Sequence, residues 1–239
     1  MITQTEHANT GRLANRFFQN MAVHFVAKKY DILATYLSEA PFRELGIELY
    51  KDGKVQTYEK HIPMDESTFM DLIQFEKKEC TVVYVFDYYQ TKEFSLFLKQ
   101  NMDWERILQH NLFKKRYNSN NDVFVHVRLG DIVKWNPGFQ YYDSVISSLT
   151  FRSGFITSDT PSHPIVQSLI QKYNLLLFNK NEVDTLMFGS TCKHIILSNG
   201  TFSWLLGFLG RYSTVYFPKT KHVWHGDIFV FPEWKEIEW

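Results

Sequence analysis

From residue 122 onward the chain alternates between short apolar runs rich in β-branched residues and longer stretches with helical spacing. Residues 122–127, 153–157, 175–178, 194–198 and 214–217 read as strands. Residues 141–149, 164–173, 183–192 and 202–209 read as helices. Strands and helices in strict alternation have few ways to bury their apolar faces together. The main one is a mostly parallel sheet with helices on both sides. We therefore expect an α/β fold whose ligands meet the carboxyl ends of the strands.

The part ahead of this alternation is less regular. Leu13, Phe17, Met21 or Val23, and Phe25 fall at helical spacing after a Gly- and Asn-containing start. Residues 81–86 (TVVYVF) read as a buried strand, and residues 91–115 as one polar helical stretch. The Asn-rich, turn-prone residues 116–122 (RYNSNND) mark the expected junction. It divides the chain into a smaller N-terminal half, 1–118, and a C-terminal half, 119–239, with the last residues packing back on the first half.

Composition removes several partner classes. Lys+Arg and Asp+Glu are both 26, so no basic excess points to nucleic acid or an anionic membrane. The most apolar window, 202–209, is under half of a ~20-residue membrane span, and the start of the sequence shows no apolar leader. Cys80 and Cys192 are too few and too distant for a disulfide framework or a thiolate metal site. The expectation is a soluble, cytoplasmic chain of bacterial or viral type.

The sharpest chemistry lies in residues 122–131, DVFVHVRLGD. An apolar strand delivers His126, Arg128 and Asp131 to a turn containing Gly130, with His126 and Arg128 on one face. A guanidinium there suits bidentate binding of a diphosphate and would stabilise it as a leaving group. An Arg128–Asp131 ion pair tying the turn is the simpler alternative. In residues 195–209 (IILSNGTFSWLLGFL) a strand ends at Ser198 and Asn199 and opens into a helix. Ser198, Asn199 or Thr201 would cap it, and its N-terminus can receive an anion. Asn199-Gly200-Thr201 also fits a glycosylation sequon, discounted at a strand-to-helix position. Residues 156–164 bring Ser158, Asp159 and Thr160 to another strand end, either for a ribose or base edge or as an Asx turn. Residues 11–19 (GRLANRFFQ) place Asn15 and Arg16 at a helix start. No D-x-D, HExxH, GxGxxG, GxxxxGK[ST] or GxSxG pattern is present, so we expect neither a bound metal nor another cofactor.

Taken in order, these segments resemble the α-1,2-fucosyltransferase family and, more distantly, the α-1,6- and protein O-fucosyltransferases. Residues 126–131 resemble the H-x-R-R-G-D signature. Gly11, Leu13, Asn15, Phe18 and Gln19 match the N-terminal G-G-L-G-N-Q-x-F-Q. Tyr141 and Tyr142 match the opening of the following helix, and residues 156–159 match I-x-S-D. Residues 184–209 resemble D-L-x-L-M-s-x-C-k-H-x-I-I-a-N-S-T-F-S-W-W-x-A-W-L over nearly their whole length. The resemblance implies a GT-B fold, two Rossmann-like halves facing across a cleft. It also implies inverting, metal-independent transfer of L-fucose from GDP-fucose to a sugar hydroxyl of a glycan acceptor. By the same resemblance, His126, Arg128, Gly130 and Asp131 hold the donor, with Arg128 assisting departure of GDP. Asp159 meets the nucleoside, and Ser198, Asn199, Thr201, Phe202 and Ser203 form the phosphate-side wall. Arg12 and Asn15 face donor and acceptor. The general base is unassigned among Glu6, His7, His24 and Asp131.

The departures are Leu129 for the second Arg, Ala14 for a Gly, Arg16 for a Gln, Gly200 for the Ser of N-S-T and Leu205 for the second Trp. They keep two other readings open. One is the same scaffold with another nucleotide sugar, such as GDP-mannose or GDP-rhamnose. The other is a nucleotide- or glycan-binding module without catalysis.

Overall fold

The computed structural model describes residues 1–4, 12–77, 79–219 and 228–239. They form two compact units. The first holds Met1–Ile107 and Ile228, and the second holds the described residues from Leu108 to Lys219 with Phe229–Trp239. Gly11, Glu6 and His7, singled out above, lie outside the described residues.

In the first unit the elements run β1 (Ile2–Thr3), α1 (Leu13–Tyr30), β2 (Ala34–Thr35), α2 (Ala40–Glu44), β3 (His61–Met64), α3 (Phe69–Gln74), β4 (Thr81–Tyr84) and α4 (Lys92–Asn101). Helix α5 (Trp104–His110) spans the division. Strands β1 and β2 pair in parallel, as do β3 and β4. Helix α1 forms where the apolar spacing placed it. Its Leu13, Phe17, Met21, Val26 and Tyr30 are all buried, and it ends at Asp31, whose left-handed φ of 55° turns the chain so that the Ile32 N–H also reaches the Ala27 carbonyl, at 3.0 Å.

Two expectations for this unit need correction. Residues 91–115 are not one helix. Met102 is extended and ends α4, while the Asp103 carboxylate accepts from the Arg106 N–H at 3.0 Å and starts α5. Residues 81–86 are not a buried strand either. The strand stops at Tyr84, and Val83 and Val85 stay 43% and 39% exposed. A β-branched run sets strand propensity, not burial of both faces.

The second unit contains β5 (Val123–Val127), α6 (Gly138–Ser147), β6 (Gly154–Ser158), α7 (Pro164–Tyr173), β7 (Leu176–Leu177), α8 (Glu182–Gly189), β8 (His194–Ile196), α9 (Thr201–Leu209), β9 (Thr214–Pro218) and β10 (Lys235–Ile237). All six strands are parallel, in the order β10-β9-β8-β5-β6-β7. Counting from β5, this is the 3-2-1-4-5-6 order of doubly wound nucleotide-binding sheets. The segment 116–122 lies inside this unit, where Arg116 bonds the Asp122 carboxylate at 2.8 Å and the Thr191 hydroxyl at 3.0 Å.

The sheet is covered on both faces. Val123, Val125 and Val127 pack with Tyr141, Tyr142, Val145 and Ile146 of α6 and with Val166 and Leu169 of α7. Phe124 turns the other way and meets the Phe188 ring of α8 edge-on, centroids 6.0 Å apart. Burial on both faces is what makes β5 read as an apolar run interrupted only by His126. Among the described residues, no helix is long and apolar enough to cross a membrane.

Truncating the fully buried Ile156 to Ala should remove about 2–5 kcal/mol of stability, while Leu177→Ala, at a site 44% exposed, should change it by no more than about 0.5 kcal/mol. Chemical denaturation of both variants measures this. Equal losses would contradict the assignment of the sheet's inner face.

Candidate functional site

The strand order sets the position of the site. The chain runs outward from β5 through β6 to β7, then returns to β8 on the other side of β5. The loops after β5 and β8 therefore diverge at the point where the winding reverses, which is where such sheets open a crevice for ligands.

At the end of β5, Arg128 has a side chain only 15% exposed, held between two carboxylates. One nitrogen bonds Asp159 Oδ2 at 2.5 Å, and the other bonds Asp131 Oδ1. The ion pair with Asp131 expected for the turn is thus present, with a second carboxylate added from the end of β6. Asp159 is itself fixed, since its Oδ1 accepts the Leu129 N–H at 2.9 Å. Gly130 is glycine for a matching reason. A Cβ there would stand 2.5 Å from Asp159 Oδ2, well inside contact distance. The loop after β5 thus wraps the Asp159 carboxylate with a backbone N–H, a guanidinium and a residue lacking a side chain.

Leu129 turns inward and is 1% exposed among Val127, Tyr141 and Tyr142. Its side chain belongs to the core and adds no charge beside Arg128. After it, Gly130–Trp135 form a 3-10 segment that had no counterpart in the sequence reading. Asn136 ends it and works in both directions. Its Nδ2 donates to the Arg128 carbonyl at 2.8 Å and to the Tyr142 hydroxyl at 3.1 Å, while its Oδ1 accepts the Gly138 N–H at 2.8 Å. Asn-Pro-Gly at 136–138 is a turn signature that would have flagged this residue.

Across the reversal point, α9 starts differently from expectation. Its N-cap is Gly200, at φ +100°, rather than Ser198, Asn199 or Thr201, and no side chain caps the helix from that position. That φ is open to glycine and strained for other residues. The Asn199 side chain is used elsewhere, its Nδ2 donating to the Trp135 carbonyl at 2.6 Å. Asn199 Oδ1 is buried with no hydrogen-bond partner. Thr201 and Phe202 are partly exposed, whereas Ser198 and Ser203 are buried.

The two strand ends are joined through His126. Its Nδ1 lies 2.6 Å from Ser203 Oγ, which in turn accepts the Ser198 N–H at 3.1 Å, and the Phe202 ring lies 5.1 Å from the imidazole. His126 is thus a bridge inside the fold and not a surface acid or base. Burial pushes its pKa down to about 4, opposed by the Asp159 charge and reinforced by Arg128.

In the first unit, Asn15 Oδ1 accepts from Gln90 Nε2 at 3.1 Å, and Arg12 is the N-cap residue of α1. His24 is half-buried, its Nδ1 accepting the Tyr50 N–H at 3.0 Å, and burial followed by the Lys28 charge lowers its pKa to about 4. Among the described residues, no group of three or more His, Cys, Asp or Glu could hold a metal ion. Cys80 and Cys192 are both free and buried.

No protein-family model matches the chain, and no curated protein matches it.

The His126 bridge has a measurable consequence. The unfolded imidazole takes its proton near 6.5, the folded one only near 4, so between these values the unfolded chain binds more protons. Stability from this group is full above pH 6.5, declines as the pH falls toward 4 and levels off below. The loss is on the order of 3 kcal/mol. In an NMR titration, the His126 ring should stay neutral from pH 7 to 5; a midpoint near 6.5 would contradict the buried bridge.

Proposed function

We propose that this protein is an inverting, metal-independent glycosyltransferase that moves L-fucose from GDP-fucose to a sugar hydroxyl, with the two units acting as the Rossmann-like halves of a GT-B enzyme. The observation that carries this reading is positional. Arg128 and the N-terminus of α9 follow β5 and β8, the neighbouring strands between which the order reverses. A guanidinium and a helix start on adjacent strand ends supply the two kinds of group that receive a diphosphate.

In this reading Arg128 binds the donor diphosphate and takes up negative charge as the sugar–phosphate bond breaks. The interaction grows with that charge, so it lowers the barrier and not merely the donor Kd. Gly200 and Thr201 bring the first N–H groups of α9 to the same anion. Asp159 holds Arg128 in place and meets the nucleoside. His126 and Ser203 are positioning residues that fix the α9 start against β5. Arg12 and Asn15 belong to the acceptor side.

One observation favours a second reading, a nucleotide-binding module without transfer. Arg128 is already balanced by two carboxylates, as a purely architectural arginine would be, and Leu129 adds no charge beside it. The two readings separate on one panel. In the first, GDP raises the melting temperature and GDP-fucose is consumed with a glycan acceptor; in the second, GDP raises it and no donor is consumed. A response to GDP-mannose or GDP-rhamnose alone would keep the transferase and change the sugar.

Arg128→Ala should lower turnover by about 10²–10³-fold, the effect of deleting one preorganised oxyanion donor. Wild-type turnover in this variant would remove Arg128 from the reaction. Turnover should also persist in excess EDTA; loss restored by Mg²⁺ or Mn²⁺ would overturn the metal-independent mechanism.

A further inference from the structure

A cavity of about 310 Å³ lies within the first unit and shares no residue with the strand-end site of the second. Its volume is at the lower end of the range for small-molecule sites, about 300–1,000 Å³. The buried Tyr30, Ile32 and Cys80 form its floor, and the half-buried Gln56 and Tyr58 form one wall. That wall is fixed on both sides of Gln56. Before it, Lys54 bridges in parallel to Ile32, its N–H donating to the Asp31 carbonyl at 2.9 Å and its carbonyl accepting the Leu33 N–H at 3.0 Å. After it, the Tyr58 N–H donates to Thr81 Oγ1 at 2.6 Å, and Thr81 Oγ1 donates back to the Tyr58 carbonyl at 2.9 Å. The Tyr58 hydroxyl donates to Gln56 Oε1 at 2.9 Å, which leaves Gln56 Nε2 to offer its hydrogens to the cavity.

Lys77 and Glu79 complete the lining, and both are exposed. Among the described residues, no ion pair includes either of them. Asp31, the carboxylate that the Lys77 charge does influence, is already held by the Tyr50 hydroxyl at 2.6 Å and by Lys54 at 3.7 Å. The cavity is therefore bordered by one cation and one anion that do not neutralise each other. A neutral molecule closing over them would strip water from both charges and compensate neither. A ligand carrying one charge of each sign compensates both.

We propose that this cavity binds the zwitterion of an α-amino acid with an apolar side chain. The ligand carboxylate meets Lys77 and Gln56 Nε2, its ammonium meets Glu79, and its side chain lies on Tyr30, Ile32 and Cys80. The site stands apart from the glycosyltransferase reading and does not depend on it.

The test is an NMR titration of the full chain with L-phenylalanine, with 3-phenylpropionate, which keeps only the carboxylate, and with phenethylamine, which keeps only the ammonium. L-Phenylalanine should bind most tightly, and each analogue about two- to fivefold more weakly, the scale of one exposed charge pair. Lys77→Gln should weaken L-phenylalanine and 3-phenylpropionate by a similar factor and leave phenethylamine unchanged. Glu79→Gln should weaken L-phenylalanine and phenethylamine and leave 3-phenylpropionate unchanged. Both side chains are exposed, so neither variant should shift the melting temperature.

No saturable response to L-phenylalanine would overturn the proposal, and so would a response to D-glucose alone, which would make the cavity a neutral-sugar pocket. Equal affinity for all three probes would reduce it to an apolar hollow. Losses in the two variants that do not follow the matching charge of the probe would remove Lys77 and Glu79 as recognition groups. Unfolding of either variant would make that side chain a structural one, again overturning the assignment. None of these results bears on Arg128, which is tested with GDP.

Discussion

Strand β5 is buried on both faces, and most of what is distinctive here follows from that constraint. A central strand with Val123, Val125 and Val127 against one helix layer and Phe124 and His126 against the other has no lateral route for polar groups. Polar chemistry can emerge only at its carboxyl end. There the chain leaves the sheet, and the backbone N–H groups need partners other than a neighbouring strand. The Asp159 carboxylate supplies one for Leu129 and an ion pair for Arg128. In the same few ångströms, Gly130 makes room for it.

The buried polar groups behave as a construction and not as a reservoir of reactive side chains. His126, Ser203 and the Ser198 N–H form a short chain of contacts linking the ends of β5 and β8. Asn136 and Asn199 tie the 3-10 segment down at its end, through the Arg128 and Trp135 carbonyls. Their effect is to hold the loop after β5 and the start of α9 in fixed places. Preorganisation of this kind lets a few weak donors act together on one anion. It also explains why His126, for all its prominence in the sequence, is unsuited to proton transfer at neutral pH. Its burial keeps it uncharged, and Ser203 occupies its Nδ1.

The second unit was largely legible in the sequence because its central strands are mostly apolar on both faces. Such runs stand out against helices whose apolar residues recur at three and four. What carried no such signal was missed. Strand β10, Lys-Glu-Ile at the sheet edge, is mostly exposed and too short to show a period. The first unit offered strands of two to four residues, below the length at which alternation can be recognised, and Val83 and Val85 looked buried because β-branching says nothing of what covers a face. Of the site residues, Arg128, Asp131 and Asp159 were legible as polar residues at strand ends, whereas Asn136 carried only the turn signature of Asn-Pro-Gly, which does not say what its side chain holds.

By itself the sequence determined the α/β alternation, the buried central strand and the strand-end location of its polar residues, since each depends on local spacing and on which side chains water excludes. Only the tertiary structure decided that Asp159, 31 positions from Arg128, is its partner, that Leu129 turns into the core, and that Gly200 begins α9. Those outcomes depend on which strand ends lie side by side and on ångström-scale clearances between atoms distant in the chain, and neither leaves a mark on any short stretch of sequence.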